Sequence, residues 1–133
     1  MDVVLVTNAP EKLVLSSIRR FNDESGFVCR LGVDSRGFSV ARNFYFDRAG
    51  LETFLAGLSE MDRVLSGRAE LRTPYEDDRI TFEALRTGAI VVAGEIHDHS
   101  EFAQHLAFSF RTDQTCLKPF LRQLAEVLSM PAA

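Results

Sequence analysis

Three histidines fall within nine residues, His97, His99 and His105, with Glu95 two positions upstream of the first. Imidazole and carboxylate groups together are a ligand set for Zn²⁺ or Fe²⁺. Suppose residues 89–97 and 102–111 pair as an antiparallel hairpin through residues 98–101. The apolar Ile96 and Leu106 must then share a face, and the pairing that allows this sets His97 opposite His105. His99 follows two residues along on the same side. Cross-strand Cβ atoms at such positions lie about 4.5–5.5 Å apart. This face is opposite the Phe-rich one and should meet water. The histidines therefore read as a polar hairpin end at the surface, with no metal and no cofactor called for. The alternative reading is a small metal-binding module or metal-dependent enzyme built on His97, His99 and His105.

The densest charge lies at Tyr75-Glu76-Asp77-Asp78, after Pro74. A solvated loop explains such a run, yet an exposed tyrosine beside three carboxylates also suits a basic protein surface. Strand parity puts Arg68, Glu70, Arg72, Thr81, Glu83, Glu95, His97, His105, Ser109 and Arg111 on one polar sheet face. Cross-strand charge pairs account for that face, and an unobstructed sheet is also a place for another protein to dock. The residues expected to contact a protein partner are Tyr75, Glu76, Asp77, Asp78, Glu83, Glu95 and Arg111.

Signatures of enzymes are missing. The 133 residues hold no GxxxxGK[ST], GxGxxG, HExxH or GxSxG pattern, and no catalytic residue can be named. A net charge of −4, with no basic stripe, argues against nucleic acid as partner. No apolar run approaches the about 20 residues of a membrane span, and residues 1–10 do not read as a signal peptide. Cys29 and Cys116 stand alone in apolar runs, as small core side chains in a reducing cytoplasm. A protein-binding domain in the cytoplasm is the expectation, with a homo-oligomer through the sheet face as a further option.

These side chains must be held by regular elements. Eleven Phe and no Trp give an uneven aromatic content, and many Phe residues alternate with polar ones. The alternation predicts strands at 2–7, 12–21, 27–34, 38–46, 68–74, 79–87, 89–97 and 102–111, each bounded by turn residues. Two stripes instead have helical spacing. The first is Leu51, Phe54, Leu55, Leu58, Met61 and Leu65, with Asp47 as N-cap and Gly67 as closing glycine. The second is Leu117, Phe120, Leu121, Leu124, Val127 and Leu128, with Asp113 or Thr115 as cap and Pro119 in the first turn. Strands, helix, strands, helix predicts an α+β domain over residues 1–133, mainly antiparallel, with two amphipathic helices on one face. The similarity of the two strand-to-helix junctions suggests an internal duplication, 1–67 and 68–133.

The stretches FYFDRAGLETFLAGLSEMDRVLSGRAELRT (residues 44–73) and LAFSFRTDQTCLKPFLRQLAEVL (residues 106–128) are similar to the small bacterial domains grouped with Wap-type immunity proteins. The carriers are the L-x-x-F-L-x-x-L helices, the link Leu65-Ser66-Gly67-Arg68-Ala69-Glu70-Leu71, and Phe110-Arg111-Thr112-Asp113-Gln114-Thr115. The resemblance implies a non-enzymatic cytoplasmic protein that binds and neutralises a cognate toxin domain of a polymorphic secretion system. It implies no catalytic residues. Asp113 and Thr115 have a structural explanation of their own as helix-start acceptors.

Overall fold

The protein was analysed as a computed structural model that describes residues 1–7, 9–23 and 25–131. The chain runs β1 (Val3–Val6), β2 (Lys12–Arg20), β3 (Gly26–Ser35), β4 (Phe38–Asp47), α1 (Arg48–Val64), β5 (Arg68–Arg72), β6 (Arg79–Ala84), β7 (Ala89–Asp98), β8 (Gln104–Asp113) and α2 (Gln114–Val127). All strand pairing is antiparallel between sequence neighbours, giving two separate sheets in the orders β1-β2-β3-β4 and β5-β6-β7-β8. The architecture is α+β, as the periodicities predict. The sheet is divided where α1 carries the chain away from β4 and returns it as β5.

Local chemistry sets the junctions. Asp47 caps α1 by accepting from the Gly50 N–H at 2.6 Å, and Asp113 caps α2 by accepting from the Cys116 N–H at 2.9 Å. Both aspartates also end a strand, so strand passes into helix without a loop. Two sequence expectations shift here. With Asp113 as cap, α2 begins early and Pro119 falls in its second turn, not its first. The chain leaves α1 through Leu65, which takes the left-handed conformation (φ 55°) and donates its N–H to the Met61 carbonyl. Gly67 (φ +105°) then turns the chain into β5.

Strand β2 carries a bulge. Its register slips between Ser16 and Arg19, and Ser17 sits at φ 53° with its N–H on the Asp2 carboxylate. The slip points Ile18 inward although Leu13 and Leu15 have the other parity. Arg36 and Gly37, both at positive φ, make the two-residue turn into β4. Phe38 lies just beyond this turn and Phe102 lies between β7 and β8. Both are exposed, so neither continues the buried alternation that the sequence suggested. Pairing of β7 with β8 ends at Asp98 and Gln104, which leaves Phe102 in the connection.

One hydrophobic cluster joins the inner faces of both sheets to both helices. Helix α1 lies chiefly on β5 and α2 chiefly on β1, and the helices touch one another. Phe82 on β6 marks the crossing: its ring meets Phe54 of α1 edge-on at 5.7 Å and stacks on Phe120 of α2 at 5.4 Å. Gly57 lets α1 approach closely, since a Cβ there would stand 2.9 Å from the Ala69 Cβ on β5. Among the described residues, no helix is long and apolar enough to cross a membrane.

Candidate functional site

With the inner faces sealed, chemistry is left to the outer face of the second sheet and to its border with β4. Register alone positions the outer-face side chains. Arg68 pairs with Glu83, Val91 faces Arg111, Arg79 pairs with Glu95, and His97 stands opposite His105 as the hairpin argument predicted. Ion pairs tie the face together: Arg79 to Glu95 at 2.7 Å, and Arg68 and Arg72 to Glu70 at 3.6 and 3.9 Å. All are partly exposed, so each contributes only a few tenths of a kcal/mol, about 0.2–1 at most.

The histidines are more ordered than a wet hairpin end requires. The His97 ring lies parallel to His105 with centroids 4.4 Å apart, and parallel to His99 at 5.5 Å. Asp78 holds His97 twice through one oxygen. Its Oδ1 accepts the His97 backbone N–H at 2.8 Å and lies 3.2 Å from the ring Nδ1. Both side chains are largely covered, 13% exposed for Asp78 and 18% for His97. His105 is half exposed, with Nε2 3.7 Å from Glu95 Oε1. Ligand atoms of Glu95, His97 and His105 lie within 4.8 Å of one another.

Across the border, Arg42 of β4 reaches Asp98 at the end of β7, 3.4 Å away. Hydrogen bonds from Ser100, its backbone N–H first, hold the Asp98 carboxyl below the usual range, and Arg42 adds to the effect. Two depressions share Arg42 and His97 in their walls. One, of about 300 Å³, runs along Val40, Ile96 and His105; the other, of about 360 Å³, runs along Arg30, Tyr45, Glu76 and His99.

The residues expected at a partner surface fall on the outer face of the second sheet and on the turn before β6. Tyr75, at φ 63°, is fully exposed, and Glu76 and Asp77 are exposed beside it. Glu83 and Arg111 flank Val91 on the outer face, two same-face rows from Glu95. Asp78 differs from its neighbours in the turn because it is bound to His97. Sequence parity missed that link, and it missed Arg42 and Asp98, since both contacts join strands whose pairing or sheet was unassigned. The available signal for Asp78 was the 79–87/89–97 hairpin, whose register carries the residue before β6 to the end of β7.

Residues 8–130 match the profile of the Immunity protein WapI-like family. The chain belongs to that family. The match extends over β2–β4 as well as the helix-bearing stretches that carried the resemblance. No curated protein matches this WapI-like chain. Among solved structures it is similar to MRP1/MRP2 of Trypanosoma bruciei, with a TM-score of 0.49 and 15% identity, over 97% of this chain and 84% of that one.

Proposed function

We propose that this WapI-like chain is a stoichiometric binding protein that neutralises a cognate toxin domain by covering it, without turnover and in the cytoplasm of the cell it protects. Family membership supports the immunity role. The observation that carries the contact surface is the turn of residues 75–78. It projects a fully exposed Tyr75 and the exposed carboxylates of Glu76 and Asp77 past the rim of the second sheet. An aromatic anchor flanked by negative charge suits a basic toxin surface, where it raises the rate of encounter and fixes orientation. The outer face carrying Glu83, Glu95 and Arg111 continues that surface at mixed charge.

The test uses a toxin domain recovered with this chain by pull-down from the native host. Titration calorimetry should give a 1:1 complex, and stopped-flow association should slow as salt rises. Glu76→Lys with Asp77→Lys should slow association about tenfold or more and flatten the salt dependence. Unchanged association in the double variant removes the turn as the contact, and absence of any complex removes the immunity reading.

A further inference from the structure

We propose that Glu95, His97 and His105 form a binding site for a divalent transition-metal ion of borderline softness, with zinc as the reference ion. Three observations carry the site, and none depends on the partner reading. Two imidazoles and a carboxylate are donors such ions take together, and their ligand atoms already lie within 4.8 Å of one another. The register His97↔His105, with Glu95 two residues away on the same face, fixes the three on the backbone of adjacent paired strands.

The second observation concerns the support behind the ligands. Metal-binding histidines commonly give their other ring N–H to a carboxylate, which sets the tautomer and orients the ring. Asp78 does this for His97: it lies 3.2 Å from Nδ1 and is itself fixed by the His97 backbone N–H. The Nε2 lone pair of His97 is thereby left for a ligand. Arg79 plays a matching part for Glu95. It holds Oε2 at 2.7 Å and leaves Oε1 toward His105.

The third is access. The set borders the depression of about 300 Å³ along His97 and His105, which leaves room for water or a further ligand on the ion. His97 and His105 lie in parallel planes, so their lone pairs do not yet converge. Convergence requires the His105 ring, which is half exposed, to reorient on binding. His99 lies outside the tight set, which distinguishes this site from one built on the three histidines.

The experiment is calorimetric titration of ZnCl₂ into the full chain without a histidine tag, in a non-coordinating buffer. One saturable site is expected. His105→Ala and Glu95→Ala should each weaken it about tenfold or more, and Asp78→Asn, which keeps an acceptor for the His97 N–H, should weaken it about tenfold. His99→Ala should change affinity less than about threefold, since it removes no member of the set. Visible absorption of the Co²⁺-loaded chain, lost in His105→Ala, gives a second readout, and circular dichroism checks that each variant is folded. Absence of saturable binding overturns the proposal, as does binding that survives His105→Ala or depends on His99 alone.

Discussion

Asp78 and His97, nineteen positions apart, are locked through a single carboxylate oxygen that takes both the backbone N–H and the ring of the histidine. The turn of residues 75–78 therefore has two parts, an exposed tip at Tyr75, Glu76 and Asp77 and an anchored end at Asp78. Asp78→Ala strands a largely covered N–H and is expected to cost about 1–3 kcal/mol. Asp77→Ala removes only an exposed carboxylate and should stay within about 0.5 kcal/mol. Urea unfolding of the two variants side by side checks the division, and equal costs would contradict it.

Gly57→Ala sets two effects of opposite sign against each other. Helix propensity favours alanine by about 0.5–1 kcal/mol. The new methyl, however, would lie 2.9 Å from the Ala69 Cβ and 3.3 Å from the Arg68 carbonyl oxygen, both on β5. Neither neighbour is the end of a flexible side chain, so helix and strand must part, at about 1–3 kcal/mol. The clash should win and lower the melting temperature. A more stable variant would mean that α1 does not approach β5 this closely.

Both cysteines are free thiols, Cys29 in the core and Cys116 at its edge. Burial pushes the Cys29 thiol up to about 12. The unfolded chain gives up that proton near pH 8.5, roughly. The neutral buried thiol therefore stabilises the fold fully below that pH, and the contribution is lost as pH rises toward the folded value. Cys29→Ala should flatten the alkaline decline in stability. A thiol reagent at neutral pH should label Cys116 first and Cys29 only on unfolding; equal rates would contradict the burial.

The hydroxyl of Thr112 is buried without a hydrogen-bond partner among the described residues. Thr112→Val keeps the shape and removes a polar group that gains nothing from being inside. Stability unchanged or raised by up to about 1 kcal/mol is expected in thermal melts. A loss above about 1 kcal/mol would mean that the hydroxyl has a partner, such as a bound water.

Much of the fold was legible because its signals are local. Phe44 and Phe46 alternate as a buried strand face, Leu51, Phe54 and Leu58 repeat as a helix, and Asp47 and Asp113 stand at the change of period, where both act as caps. The parity break between Leu15 and Ile18 was the visible trace of the bulge at Ser17. The division into two sheets was not legible, because it depends on α1 settling onto the strand after it. At the candidate site, His97 opposite His105 followed from apolar parity once Ile96 was set against Leu106. Asp78 behind His97 did not, since that contact needs the register of β6 on β7 and the reach of a residue outside either strand. Arg42 against Asp98 joins two sheets and had no sequence signal at all.

The exchange of helices, α1 onto β5 and α2 onto β1, makes the two halves mutually dependent. A peptide cut off after Gly67 would hold a helix with its principal strand missing, and the remainder would be in the same position. Neither is expected to fold in isolation, yet the pair should reassemble when mixed, as a split reporter does. Two intact molecules could trade halves through the same short hinge, so the geometry that seals the monomer also offers a route to an intertwined dimer.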